Sequence, residues 1–114
     1  MTYVFDIDGT ICTNLCESKN QDYADSVPNR GRIKKINKLY DEGHTIIMLT
    51  ARGMGRSGNS VAYAYTAYEK FTEKQLNEWG VKYHRLFLGK PAGDIYIDDK
   101  GIKDEDFFAN ETRS

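Results

Sequence analysis

The sequence predicts an α/β fold, a mainly parallel sheet with helices on its faces. Three observations carry this. Short runs of β-branched, aromatic and aliphatic residues (3–5, 44–49, 83–88, 95–97) alternate with longer stretches of helical period. The runs are apolar throughout rather than alternating, as strands covered on both faces are. Each run ends in polar residues able to do chemistry, and in a parallel sheet all such ends emerge along one edge.

Tyr3-Val4-Phe5 begins the chain as a buried strand, and Gly9 breaks the extended run after it. Thr10 to Arg30 is polar and irregular, most hydrophilic at Glu17-Ser18-Lys19-Asn20-Gln21-Asp22, and reads as a surface loop. Pro28 leads into a helix with Ile33, Ile36, Leu39 and Tyr40 at helical spacing, stopped by Gly43. A second strand follows over 44–49 and delivers Thr50-Ala51-Arg52-Gly53. Residues 54–60 are glycine-rich. Residues 61–79 are mostly helical, with Ala64, Tyr65, Tyr68, Phe71, Leu76 and Trp79 on roughly one stripe. Thr72-Glu73-Lys74-Gln75 has the form of a capping box, which allows a break into two helices there. Gly80 ends the helical stretch. A third strand over 83–88 leads to Gly89-Lys90-Pro91, and a fourth over 95–97 leads to Asp98-Asp99-Lys100. A short acidic helix or turn and a polar tail finish the chain.

The 114 residues suffice for one domain spanning 1–114 with one modest core. A formal net charge of -1 gives no general attraction to nucleic acid or to an anionic membrane. No run is long and apolar enough to span a bilayer, and the start lacks the pattern of a signal peptide, so a cytoplasmic location is expected. Cys12 and Cys16 have no second pair to complete a zinc site and read as two reduced thiols in or near a loop. Asn110-Glu111-Thr112 matches a glycosylation acceptor, here by chance.

Asp6 and Asp8 lie two apart at the end of the first strand, so their side chains share a face. Like charges so close raise each other's pKa, a cost that a divalent cation relieves and a catalytic site exploits. A parallel sheet brings them to the same edge as Thr50 with Arg52, Lys90, and Asp98 with Asp99. Hard oxygen ligands of this kind suit Mg²⁺, which completes its shell with water and substrate phosphate. Lysine and a small hydroxyl are natural phosphate partners. One carboxylate can attack phosphorus, and a neighbouring carboxyl can protonate the leaving oxygen and then activate water.

In order, Asp6-Ile7-Asp8-Gly9-Thr10, Thr50, Lys90 and Asp98-Asp99 resemble the four motifs of the haloacid dehalogenase (HAD) superfamily of phosphatases. The runs Thr50-Ala51-Arg52-Gly53, Trp79-Gly80-Val81-Lys82-Tyr83-His84, Gly89-Lys90-Pro91 and Tyr96-Ile97-Asp98-Asp99-Lys100 resemble a small capless subgroup described as capsule or surface-polysaccharide biosynthesis phosphatases. The resemblance implies Asp6 as nucleophile and Mg²⁺ ligand, and Asp8 as general acid/base with its backbone carbonyl on the metal. It implies Thr50 hydrogen-bonded to the phosphoryl group and Lys90 neutralising that group. Asp98 would hold Mg²⁺, and Asp99 would support it directly or through water. Ala51 and Arg52 would fall in the same phosphate-binding turn, and the fold implied is a Rossmann-like three-layer sandwich, HAD-like and without a cap domain. The gaps 10–30 and 50–90 leave no room for a cap domain, so an open site is expected, with loops or a homo-oligomer excluding water.

Plainer roles stand beside these: a helix cap for Thr50, a surface ion pair for Arg52, and an exposed lysine for Lys90. His44 and His84 are strand residues, Asp94 lies at the far edge, and Tyr63, Tyr65 and Tyr68 belong to the core or a subunit contact. The expected activity is Mg²⁺-dependent hydrolysis of a small phosphorylated metabolite such as a phosphosugar. The alternatives are a nucleic-acid 3′-phosphatase, which the weak negative charge disfavours, and a non-catalytic phosphate-binding domain.

Overall fold

The computed structural model describes residues 1–13 and 23–109. The hydrophilic run 17–22, Cys16 and Asn110 lie outside them. Strand β1, Thr2–Phe5, enters a turn and then a single 3-10 turn at Tyr23–Asp25. Helix α1, Arg30–Asp41, starts where Asn29 accepts a hydrogen bond from the Arg32 backbone N–H at 3.1 Å. Strand β2 is Thr45–Thr50, helix α2 Val61–Glu78, strand β3 Arg85–Leu88 and helix α3 Asp104–Phe107.

The sheet is parallel in the order β1-β2-β3. Phe5 lies beside Met48 and Met48 beside Leu86, while Thr50 meets Leu88. The chain therefore steps in one direction across the sheet, and right-handed crossovers on such a path put every connecting helix on the same face. Side chains from both helices, Ile33 and Ile36 of α1 and Leu76 of α2, join Phe5, Ile46 and Met48 in one buried cluster with Trp79, Val81 and Phe108. Phe107 of α3 packs against Tyr3 and Phe5 on that same face. The opposite face carries Val4, Ile47, Leu49 and Phe87, and these join neither apolar cluster. The described residues thus form two layers rather than the three expected from sequence, because the step that would reverse direction and bring cover to the second face is missing.

A fourth strand was expected over 95–97. Those residues form no strand, and Ile95 and Ile97 are 80% and 96% exposed. They are apolar, but only six residues separate them from β3, too few for a parallel crossover, which needs a dozen or more. Helix α2 is also unbroken at Thr72. Thr72 is fully buried and accepts from a guanidinium, so its hydroxyl serves a tertiary contact instead of a helix start.

Candidate active site

The site lies at the carboxyl ends of β1 and β2. After Phe5 the chain turns sharply: Thr10 and Ile11 both donate to the Ile7 carbonyl, and Gly9 donates to Cys12 with φ of +84°. This turn buries Ile7 and leaves Asp6 and Asp8 on the sheet edge. At the end of β2 the Thr50 hydroxyl accepts from the Arg52 backbone N–H at 3.1 Å, closing a second turn. Gly53 follows with φ of +80°, and a Cβ there would stand 2.8 Å from the Tyr68 ring, so the turn packs too closely on α2 for a larger residue.

These turns bring two charge pairs together. Arg52 is 1% exposed and grips both oxygens of Asp8: Nε donates to Oδ2 at 2.9 Å and Nη2 to Oδ1 at 3.0 Å. Its Nη1 donates to Thr72 Oγ1 at 3.3 Å, and the Tyr23 and Phe71 rings lie 4.7 and 5.9 Å from the guanidinium carbon. Asp6 lies beside Lys90, whose ammonium is 3.8 Å from Asp6 Oδ1. Lys90 is set there by Gly89 and by its own backbone N–H, which donates to the Thr50 carbonyl at 3.2 Å. Burial pushes the Asp6 carboxyl above the usual carboxylate range, while Lys90 pulls it back down.

Of the residues singled out from sequence, Asp6, Asp8, Thr50, Ala51, Arg52 and Lys90 share this edge. Asp98 and Asp99 do not join them. Asp98 is fully exposed, and its carboxylate accepts from the Lys100 backbone N–H at 3.0 Å. That hydrogen bond, with others from Asp99, holds its carboxyl below the usual range. Among the described residues no three acidic, histidine or cysteine side chains gather as a metal site. Both Asp8 oxygens are taken by Arg52, and Asp6 faces a lysine, so the donors at this edge of one chain do not by themselves fit a magnesium ion.

His44 and His84, expected within strands, lie just before β2 and β3. His84 Nδ1 accepts from the Ile46 backbone N–H, and His44 Nδ1 lies 3.0 Å from the N-terminal amine. Sequence reasoning missed Tyr23 and Thr72 as the walls around Arg52. Thr72 carried a signal: it interrupts the i, i+4 stripe of Ala64, Tyr68 and Leu76, where a polar residue needs a buried partner. Cys12 lies under the site, its Sγ 3.5 Å from Asp8 Oδ1, and burial pushes its thiol up to about 12.

This is a class of α/β protein with paired carboxylates at the carboxyl edge of a parallel sheet. The fold is similar to that of a target protein from Vibrio cholerae, 24% identical, with a TM-score of 0.80 over 93% of this chain and 85% of that one. It is also similar to part of a Pnkp1/Rnl/Hen1 complex, 19% identical, with a TM-score of 0.55 over 96% of this chain and 34% of that one. No family model and no curated protein matches the chain.

Proposed function

We propose that the protein is a phosphomonoester hydrolase of HAD type without a cap domain, working through an aspartyl-phosphate on Asp6. The observation that carries this reading is Asp6 itself, a partly desolvated carboxylate at a strand end, paired with Lys90 and two residues from a second carboxylate in an arginine's grip. Poor solvation favours attack by a carboxylate on phosphorus, and Lys90 offers its charge both to Asp6 and to an incoming phosphate. In the first step an Asp6 oxygen bonds to phosphorus and the bond to the leaving oxygen breaks. In the second, water attacks the same phosphorus and Asp6 is released.

Asp8 would give a proton to the leaving oxygen and take one from the water. In its ion pair both Asp8 oxygens are acceptors only, so one must turn away from Arg52 to carry that proton. Arg52 is therefore read as the residue that positions Asp8, rather than as a phosphate ligand. A magnesium ion would add charge neutralisation at the phosphoryl group; it would be held by Asp6 and the Asp8 carbonyl together with Asp98 and Asp99, once these are brought to the edge. The substrate we favour is a small phosphosugar of surface-polysaccharide assembly, on the motif resemblance. The test is release of phosphate from a chromogenic phosphomonoester and from a phosphosugar panel, with and without Mg²⁺, by the parent and by Asp6→Asn. Metal-dependent turnover by the parent alone is expected; a parent that turns over no panel member would favour a phosphate-binding domain instead.

A further inference from the structure

We propose that the arm formed by residues 91–103 is exchanged between two copies of the chain. Residues 95–97 of each copy would pair, parallel, along the outer edge of the other's β1, placing Asp98 and Asp99 beside the partner's Asp6 and Asp8. Three observations lead here.

First, every residue from 91 to 103 is exposed, including Ile95, Tyr96, Ile97 and Ile102. Such an apolar run on a monomer is an aggregation hazard unless it has a partner. Second, the arm is anchored at both ends and held outward. Ala92 N–H donates to Asn59 Oδ1 at 2.9 Å, and the Tyr96 hydroxyl closes a turn on Pro91 and Gly93. At the far end Asp104 pairs with Arg32 at 2.6 Å, and Phe108 is buried.

Third, among the described residues β1 is an edge strand, and its Val4 is 57% exposed. The arm cannot reach that edge of its own chain in a parallel sense. It would have to cross three strand spacings and the length of the sheet, about 19 Å in the plane, and also rise over and descend past the side chains of one face, which adds about 10 Å, on seven Cα steps that span at most about 25 Å. A second copy has no such limit, and mutual exchange is the closed, two-fold way to satisfy two identical arms and two identical edges.

The exchange also answers the misfit at the site. One chain supplies Asp6 and Asp8 but leaves Asp98 and Asp99 in solvent. Only this catalytic consequence rests on the phosphohydrolase reading; the exchange itself rests on the arm and the edge.

The first measurement is the solution mass of the full chain by light scattering. The expected value is twice 13.0 kDa for the parent and a single-chain mass for Ile97→Asp, with unchanged circular dichroism because the arm makes no core contact. Hydrogen exchange should show the amides of Thr2–Phe5 slower in the parent than in Ile97→Asp. A monomeric parent, or an Ile97→Asp variant that stays dimeric, would overturn the proposal. The second measurement co-refolds Asp6→Asn with Asp98→Asn. Each mixed dimer holds one intact site, so about a quarter of parental turnover should return. No recovery beside an active parent would overturn completion of the site by a partner. If the parent itself is inactive, the phosphohydrolase reading fails and the mass and exchange data decide the arm alone.

Discussion

Removing the Arg52 guanidinium should expose how far the site depends on one buried ion pair. In Arg52→Met the Asp8 carboxylate loses both of its charged donors, and Thr72 loses its own. Breaking a buried pair from one side costs about 3–5 kcal/mol, because a desolvated charge is left behind. Asp8 keeps a side-chain exposure of 13% and can reach some water, which puts the expected loss at the lower end, about 3 kcal/mol. For a chain of this size that is a fall in Tm of about 10–20 °C. Asp8→Asn should also destabilise, by stranding the guanidinium among Tyr23, Phe71 and Thr72. The double variant should cost little more than either single change. Urea unfolding of all four proteins gives the coupling energy, which should exceed about 1.5 kcal/mol for groups in such contact. Single-variant effects that add to within about 0.5 kcal/mol would show that the two side chains do not depend on each other, and would refute the reasoning.

Asp6→Asn should raise Tm at neutral pH. Burial lifts the native carboxyl above 3.8, so the native state holds its proton more tightly and loses stability as pH rises through that interval. The gain should vanish well below pH 3.8, where both states are protonated; a chelated thermal series across pH checks the sign. Lys90→Ala should keep the fold, changing stability by under about 1 kcal/mol since its pair is long and part-exposed, while removing most turnover; unchanged kcat/KM would take Lys90 out of the site. Cys12 should resist thiol reagents in the native protein, its thiolate being roughly a thousandfold scarcer than at the ordinary value of 9.0, and react freely in urea; labelling followed by peptide mass analysis reads this out. Gly53→Ala should cost about 2–4 kcal/mol from its positive φ and the Tyr68 ring, whereas Gly58→Ala, with open space around it, should cost only about 1 kcal/mol.

Much of the local structure was legible because local physics set it. The periodicity of Ile33, Ile36 and Leu39 defined α1, and the apolar runs ending at Phe5, Leu49 and Leu88 became the three parallel strands, the second reaching one residue further to Thr50. The convergence of Asp6, Asp8, Thr50 and Lys90 followed from strand direction alone. What the reading of separate runs left out was connection length acting on topology, although the six residues between 88 and 95 were there to be counted. Residues 95–97 have the composition of a strand, yet six residues cannot carry them back across the sheet, and Asp98 and Asp99 stay away with them. The two-layer arrangement follows from the same shortage. Arg52 was ambiguous for another reason. Whether an arginine after a strand meets solvent, substrate or a carboxylate depends on tertiary neighbours such as Thr72 and Tyr23, which no local pattern ties to it.

The most direct test of the central claim is to trap the covalent enzyme. Acid quenching during turnover of a phosphomonoester, followed by peptide mass analysis, should find one phosphoryl group on Asp6, absent from Asp6→Asn. Sustained turnover with the phosphoryl group on another residue, or on none, would contradict Asp6 as the nucleophile.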